Sequence, residues 1–97
     1  MQIREFQDMI ARKYEKRDRE RGVSRTFMWF IEEVGELATA LHENDREALH
    51  GEFADVLAWL CTLASLAGVR MQDAAAKYAA GCPVCKAMPC NCPTKNN

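Results

Sequence analysis

Two pairs of acidic residues, each spaced three positions apart, stand inside segments that are otherwise largely apolar. Glu33 and Glu36 belong to IEEVGEL, and Glu52 and Asp55 belong to GEFADVLAWL. Residues three apart share one side of an α-helix, so each pair would present two carboxylates together. Carboxylates that meet across two helices must shift their pKa values or share a cation. Oxygen ligands without His or Cys at ligand spacing favour Mg²⁺, or Mn²⁺, over zinc, and the four residues therefore predict a magnesium site.

Two other interpretations of the acidic pairs are weaker. A single glutamate on a helix is most simply a solvated surface residue, but two matched pairs that border apolar stripes on adjacent helices favour a metal site. Di-iron and di-manganese bundles also use inward carboxylates, yet they need Glu-x-x-His motifs on two helices. Thr39 and Asp55 occupy the positions where such motifs would place histidine, so we do not expect a redox metal.

The elements that must position these residues are helical. No stretch shows sustained period-two alternation, and proline is absent before Pro83, so the preceding chain is free to form helices. The pattern predicts an all-α, four-helix bundle with helices at about residues 2–19, 24–42, 45–67 and 71–80. We expect N-caps at Ser24 and at Asn44 or Asp45, and helix ends at Gly22, Gly68 and Gly81. The short connection after the second helix makes helices two and three an antiparallel pair.

Apolar residues on these two helices recur at three- and four-residue steps, which is typical of a buried helix face. We expect them to form the core of the chain. The predicted core residues are Phe27, Phe30, Ile31, Val34, Leu37, Ala38 and Leu41 on the second helix, and Phe53, Val56, Leu57, Leu60, Ala64 and Ala67 on the third.

Charge is distributed unevenly along the chain. Residues 11–25 hold seven Arg or Lys against three acids, whereas residues 32–55 hold eight acids and one Arg. A basic segment can bind nucleic acid, but the acids interleaved here have helical spacings that favour pairing within the helix. We therefore interpret the basic arm as a solvated helix face and do not expect a nucleic-acid partner.

Length and hydropathy predict one soluble domain. The chain has 97 residues, 48% of them hydrophobic, and a formal net charge of −1, which fits a single domain with a modest core. The longest apolar run, VLAWLCTLASLAGV, is shorter than the roughly 20 residues that a membrane-spanning helix needs. The N-terminal segment lacks an apolar signal core. We therefore expect a cytoplasmic protein with no membrane partner.

Four cysteines lie close together near the C-terminus. Cys82, Cys85, Cys90 and Cys92 form a CxxC followed by a CxC in CPVCKAMPCNC. Four thiolates can close one tetrahedral site, and structural zinc accepts an all-cysteine ligand set. A disordered thiol-rich tail and a disulfide pair are the alternatives, although a reducing cytosol argues against the disulfide. We predict a zinc knuckle here, and we interpret Cys61 as a buried core residue.

The acidic motifs, in their order and surroundings, resemble those of a known enzyme family. EEVGEL is followed, sixteen residues after Glu36, by EFAD, which is similar to the EExxE and ExxD signature of the MazG-like nucleoside triphosphate pyrophosphohydrolases. The flanking segments TFMWFIEEVGELATAL and EFADVLAWLCTLA make the likeness more specific, and it covers about residues 3–80. The resemblance implies an all-α fold that works as a homodimer or homotetramer. It also implies Mg²⁺-dependent hydrolysis of a nucleoside triphosphate to a monophosphate and pyrophosphate.

The resemblance can be carried over residue by residue at the acidic motifs. It implies that the metal ligands are Glu33, Glu36, Glu52 and Asp55. Glu32 matches the leading glutamate of the first motif and points further from the others, so we expect it to orient the attacking water. Glu32 and Glu33 are thus the predicted catalytic residues.

Cationic residues are needed to bind a triphosphate. Lys77 resembles the lysine of a downstream KxxxN motif, but Gly81 stands where that motif has asparagine, so the polar contact is missing or supplied elsewhere. The other candidates for phosphate binding, Arg17, Arg21 and Arg25, lie close before or at the start of the second helix. Each could instead be an ordinary surface residue.

Two tryptophans flank the acidic pairs. Trp29 lies one turn before Glu33, and Trp59 lies one turn after Asp55, so both project toward the carboxylate side. Either could stack on a nucleobase. Alternatively, they fill a packing surface between subunits, because a lone bundle of this size has little core.

The preferred interpretation is a pyrophosphohydrolase with a helical domain at residues 1–80 and a cysteine-rich tail at residues 81–97. Its expected role is the clearing of nucleotides. Two alternatives remain open. One is hydrolysis of another phosphoanhydride, such as phosphoribosyl-ATP. The other is a non-catalytic, zinc-containing binding module.

Overall fold

The structure, a computed structural model, describes residues 1–93 and is helical. Its α-helices are α1 (Ile3–Glu43), α2 (Arg46–Leu66) and α3 (Met71–Ala75), and a short 3₁₀ helix, Ala76–Tyr78, follows α3. No β-strand occurs within the described residues, which confirms the predicted all-α class. The predicted tail includes residues 94–97, which lie outside the described part of the chain.

Helix α1 is interrupted at Gly22, where the first two predicted helices were expected to separate. Gly22 has φ 80° and ψ 171°, a conformation that glycine adopts without the steric penalty of a Cβ. Helical conformation resumes directly afterwards, so the prediction of Ser24 as an N-cap is wrong, because Ser24 already lies in the first turn. We call residues 3–21 the N-terminal arm of α1 and residues 23–43 its C-terminal arm.

The connection between α1 and α2 consists of two residues. Asn44 adopts the left-handed conformation (φ 53°), and the Asp45 side chain accepts a hydrogen bond from the Ala48 N–H at 3.2 Å. This confirms the predicted N-cap at Asp45. So short a turn lays α2 back against the C-terminal arm, which fixes the register between the two acidic helices.

The end of the helical region is shorter than predicted. Gly68, with φ 75°, follows α2 and confirms the expected stop there. The fourth predicted helix, over residues 71–80, is instead the five-residue α3 followed by a 3₁₀ turn that ends at Tyr78. A run of alanines between Asp73 and Lys77 favours helix, but so short a segment gains few hydrogen bonds before the chain turns at Gly81.

A buried glutamine ties the N-terminal arm to the far end of α2. The Gln7 side chain is 1% exposed, and its Nε2 donates to Ser65 Oγ at 3.0 Å and to the Val69 carbonyl at 2.9 Å. Its Oε1 accepts the Met71 N–H at 2.8 Å. These bonds satisfy the buried amide, whose desolvation would otherwise oppose folding. They hold the arm against the start of α3.

The core of the single chain is small, and this corrects the predicted core. Its buried apolar residues are Ile10, Ala40, Leu49, Cys61 and Ala64. Cys61 is buried as predicted. The predicted stripes, by contrast, remain largely open, since Phe27 is 51% and Phe53 55% exposed. Two helices joined by a short turn bury only the faces that meet, and wide apolar faces therefore stay uncovered in one chain.

Within residues 1–93, no helix is by itself both long and apolar enough to span a membrane. Helix α2 meets the requirements of length and composition only in combination with residues 71–78, from which a bend of 106° separates it.

Candidate active site

The predicted acidic pairs meet where the C-terminal arm of α1 packs on α2. One carboxylate oxygen from each of Glu33, Glu36 and Glu52 lies within 4.8 Å of the others. We call these three residues the carboxylate cluster. The i,i+3 spacing aligns the first two on one side of α1, and the two-residue turn sets the register that brings Glu52 opposite them.

Glu33 and Glu52 are half-buried and Glu36 is exposed, but two oxygens of the cluster are buried. Glu33 Oε2 and Glu52 Oε2 are buried and have no hydrogen-bond partner among the described residues. Burial, hydrogen bonding to Glu36 and the neighbouring negative charges raise the pKa of Glu33 from its usual 4.5 to about 7. Burial, followed by the charges of Glu36 and Asp55, also raises the pKa of Glu52. A divalent cation would relieve both effects, because it supplies positive charge to oxygens that have no hydrogen-bond partner within residues 1–93.

The other two predicted acidic residues lie beside the cluster. Asp55 is exposed and is not one of the three residues whose oxygens converge, but its charge contributes to the raised pKa values of Glu33 and Glu52. Asp55 also lines the adjacent groove. Glu32 is exposed and stands outside the cluster. The structure therefore brings three of the four predicted metal ligands together and places the fourth between the cluster and the groove.

A groove of about 600 Å³ separates the N-terminal arm from α2. Lys13, Arg17 and Arg21 line its α1 side, and Asp55 and Trp59 line its α2 side. We call the three cationic residues the basic stripe. They are spaced four apart, so they share one helix face. The groove thus combines positive charge with an aromatic ring next to the carboxylate cluster, a combination suited to an anionic, aromatic ligand.

Arg21 is held in place at the break in α1. Its guanidinium donates to Asp18 Oδ1, and its Nε donates to Thr26 Oγ1 at 3.0 Å. Asp18 and Thr26 are both buried, and Thr26 Oγ1 in turn donates to the Gly22 carbonyl at 2.6 Å. These contacts give Arg21 a fixed position across the helix break, with little freedom to follow a ligand.

The two predicted tryptophans pack together beside Arg21. The ring centroids of Trp29 and Trp59 are 6.5 Å apart with an interplanar angle of 20°. The Arg21 guanidinium carbon lies 4.8 Å from the centroid of Trp59, within the range of a cation–π contact. Trp29 is 46% exposed, so part of this aromatic surface remains accessible.

Two predicted phosphate-binding residues are not brought into this groove. Arg25 is exposed on the C-terminal arm and is absent from the groove lining. Lys77 lies in the 3₁₀ helix with its Nζ 5.7 Å from the centroid of the Tyr78 ring. Lys77 does not line the groove either. Their predicted role in substrate binding stays a prediction.

Two residues have positions that their sequence pattern did not predict: Lys13 lines the groove, and Asp18 is buried. Lys13 was not among the predicted phosphate-binding residues, although its spacing of four from Arg17 is the signal that could have placed it in the groove. The acids of residues 11–25 were expected to pair within the helix on a solvated face; Asp18 does pair with Arg21, three positions on, but it is buried, at 7% exposed. An interleaved acid in a basic segment can therefore be a buried anchor.

The four clustered cysteines lie apart from the carboxylates. The sulfur atoms of Cys82, Cys85, Cys90 and Cys92 all lie within 4.8 Å of one another, and such a group could hold a metal ion. Backbone N–H groups of Asn91 and Ala87 lower the pKa of Cys85 to about 6. The neighbouring Cys90 thiol, followed by those of Cys85 and Cys82, raises the pKa of Cys92 to about 12.

Fold and site together define an all-α protein with a carboxylate cluster beside a basic groove. The sequence model of the family described as MazG nucleotide pyrophosphohydrolase domain matches residues 21–83, which is more than half of the chain. This protein therefore belongs to that family, as the resemblance of its acidic motifs implied. Membership implies pyrophosphohydrolase activity. A search of curated proteins finds no match.

We expect the metal-free protein to become less stable as the pH rises from about 4.5 to about 7. With the pKa of Glu33 raised from 4.5 to about 7, the folded state retains a proton in this window that the unfolded state has released. Stability falls with rising pH wherever the folded state binds more protons. Urea denaturation of EDTA-treated protein, at one protein concentration and a series of pH values, measures this fall.

Two variants separate the cluster from other titrating groups. Glu33→Gln should flatten the pH dependence, whereas Glu32→Gln should keep it, because exposed Glu32 stands outside the cluster. Added Mg²⁺ should stabilise the wild type more at about pH 8 than at about pH 5, since metal and proton compete for the same oxygens. Identical slopes for wild type and Glu33→Gln would contradict the assignment.

Proposed function

We propose that this protein hydrolyses nucleoside triphosphates, ribo or deoxy, to the monophosphate and pyrophosphate in a Mg²⁺-dependent reaction in the cytoplasm. The observation that carries the proposal is the carboxylate cluster, whose buried oxygens Glu33 Oε2 and Glu52 Oε2 have no partner within the described chain. The family match gives the reaction class. The clearing of nucleotides is the role that this reaction would serve.

The donor set of the cluster fits magnesium. Glu33, Glu36 and Glu52 would hold the ion, with Asp55 available on the groove side. Carboxylate oxygens are the ligands that Mg²⁺ or Mn²⁺ prefers, whereas thiolates such as those of the C-terminal cysteines suit softer cations. When bound, the ion would neutralise phosphate charge and lower the pKa of a water. The three carboxylates would also be kept ionised by it.

The groove offers the remaining contacts that a triphosphate needs. Lys13 and Arg17 present exposed cations on the wall opposite Asp55, where they would bind phosphate oxygens and hold the chain of phosphates in line. Water would attack the α-phosphorus, the bond between that phosphorus and the oxygen bridging it to the β-phosphorus would break, and pyrophosphate would leave. Glu32, next to the cluster along α1, is our candidate for orienting that water.

The aromatic pair would bind the base. Trp59 lines the groove, and the Trp29 ring packs against the Trp59 ring. A nucleobase could stack on the accessible surface of this pair. Arg21, fixed by Asp18 and Thr26, supports Trp59 from within the arm. Stacking is tolerant of base identity, so the pair would bind any base without selecting one.

A second copy of the chain is our proposed partner for the exposed apolar stripes. Phe27, Ile31 and Val34 are each more than one third exposed and lie on one face of α1, and Phe53 and Leu57 repeat the arrangement on α2. The chain also carries a basic arm at residues 11–25 and an acidic centre at residues 32–55. An isologous contact, in which each copy uses the same surface, could pair these opposite charges.

The first test of the activity is pyrophosphate release from a panel of NTPs, dNTPs and phosphoribosyl-ATP, with Mg²⁺ and with EDTA. We expect Mg²⁺-dependent turnover on at least one nucleoside triphosphate. Glu36→Gln should lower kcat/KM roughly 100-fold or more, since losing an ionised metal ligand costs about 3 kcal/mol of transition-state stabilisation. Glu43→Gln, an exposed acid at the end of the same helix, is the matched control and should retain activity. No turnover by folded, Mg²⁺-supplied protein would overturn the proposal.

A second test addresses the basic stripe. We expect Arg17→Ala to raise KM for the triphosphate roughly tenfold, equivalent to about 1.4 kcal/mol of lost binding, with a smaller change in kcat. Arg19→Ala is the control, because Arg19 pairs with exposed Glu15 at 2.9 Å and does not line this groove. Steady-state kinetics at low ionic strength measure both. Equal KM values for the two variants would place the phosphates elsewhere.

A third test addresses the oligomer. We expect the wild type to sediment as a dimer or tetramer, and Ile31→Glu combined with Phe53→Glu to shift it toward the monomer, because charges in the apolar contact would lose their hydration. Val84→Glu, an exposed valine outside both stripes, should leave the mass unchanged. Sedimentation velocity over a range of protein concentrations gives the result. A monomeric wild type would refute the second copy as partner.

A further inference from the structure

The four cysteines form a cluster that the proposed reaction leaves unused. Their sulfur atoms lie within 4.8 Å of one another, with Cys82 Sγ 3.7 Å from Cys92 Sγ and Cys85 Sγ 4.0 Å from Cys90 Sγ. A tetrahedral zinc ion with Zn–S distances of about 2.3 Å requires sulfur–sulfur edges of about 3.8 Å. The Cys82–Cys92 and Cys85–Cys90 distances are close to this value, and no pair of the four sulfur atoms is more than 4.8 Å apart.

Backbone N–H groups point at three of the four sulfur atoms. Cys82 Sγ accepts from the Val84 N–H at 3.4 Å, Cys85 Sγ from the Asn91 N–H at 3.2 Å, and Cys90 Sγ from the Cys92 N–H at 3.3 Å. Such donors stabilise thiolates and orient them, as outer contacts commonly do in metal sites. They would offset the net negative charge of one Zn²⁺ with four thiolates.

The turn around the first two cysteines is closed by its own backbone. The Lys86 N–H donates to the Cys82 carbonyl at 2.8 Å, and the Cys82 N–H donates to the Ala87 carbonyl at 3.0 Å. The Lys86 Nζ also donates to the Pro83 carbonyl at 3.1 Å, which brings a positive charge to the same turn. A closed turn of this kind holds Cys82 and Cys85 on one side of a shared centre.

Gly81 is required where this turn begins. Its φ is 96°, and a Cβ at this position would lie 3.0 Å from the Lys86 carbonyl oxygen and 3.1 Å from that of Ala87. Both contacts are with backbone, which cannot move without opening the turn. The family resemblance places asparagine here, and the glycine therefore fits the cysteine segment rather than a substrate contact.

We propose that Cys82, Cys85, Cys90 and Cys92 bind one structural Zn²⁺ in a closed, all-thiolate site that orders the C-terminal segment. Four sulfur ligands in a tetrahedral arrangement select zinc over the hard cations suited to the carboxylate cluster. All four positions are filled by protein, which leaves no open position for a substrate. The inference stands whether or not the proposed hydrolysis is correct.

The test is the metal content of the full chain, purified under reducing conditions without chelator. We expect one zinc per chain by elemental analysis, and its loss in Cys85→Ser and in Cys92→Ser. Cys61→Ala is the control that keeps its zinc, because Cys61 is buried on α2 and is not one of the four clustered cysteines. Replacement by Co²⁺ should give the intense absorption of a tetrahedral thiolate site. Circular dichroism confirms that each variant is folded.

Gly81→Ala tests the zinc site without removing a cysteine, because the added Cβ disturbs only the turn that positions Cys82 and Cys85. Competition with a chromophoric zinc chelator should show at least tenfold weaker zinc binding for this variant, whereas Gly51→Ala, with no atom within 4 Å of the added Cβ, should match the wild type. A folded wild type that takes up neither Zn²⁺ nor Co²⁺ would overturn the proposal. So would iron in place of zinc, or disulfides that persist in reductant.

Discussion

Like charges brought together where two helices pack are the constraint on which the rest of this structure depends. Glu33, Glu36 and Glu52 converge because a two-residue turn, set by the conformations of Asn44 and Asp45, fixes the register of α1 against α2. Their mutual repulsion opposes the packing that brings them together, and two of their oxygens have no compensating partner within residues 1–93. A proton on Glu33 or a shared cation relieves this opposition. Helix pairing is therefore linked to protonation, and a cation bound at the cluster would join the same equilibrium.

Polar anchors, rather than a large apolar core, hold the N-terminal arm against that helix pair. Gln7 connects the arm to Ser65 and Val69 at one end, and Arg21 connects Asp18 to the helix break at the other. Such contacts depend on geometry and contribute little net free energy unless every buried group is satisfied. The wide apolar faces of α1 and α2 stay exposed, so a single chain lacks the apolar burial that these faces could provide. A second copy covering these faces would stabilise the same helix pair that carries the carboxylates.

Features that depend on a few neighbouring residues were predictable from sequence, and features that depend on distant partners were not. The cap at Asp45 and the stop at Gly68 follow from local hydrogen bonding and backbone conformation. The acidic pairs were identified because i,i+3 spacing and a short turn suffice to bring two helix faces together. Periodicity identifies an apolar face but not what covers it, so the exposure of Phe53 could not be foreseen. Gln7 and Lys13 resembled ordinary helix residues because their surroundings come from α2, more than forty positions away.

Gly81, where the sequence departs from the KxxxN motif that it resembles, also bears on the proposed phosphate contacts. One residue cannot both contact a substrate as asparagine and begin a turn that has no space for a Cβ, and at position 81 the turn requires glycine. Under the proposed function, the polar contacts to phosphate would therefore come from another element. Lys13 and Arg17 face Asp55 across the groove, on an arm that the break at Gly22 directs along α2. The conformation of Gly22 thus sets the direction of the N-terminal arm, and that of Gly81 allows the turn that brings the C-terminal cysteines together.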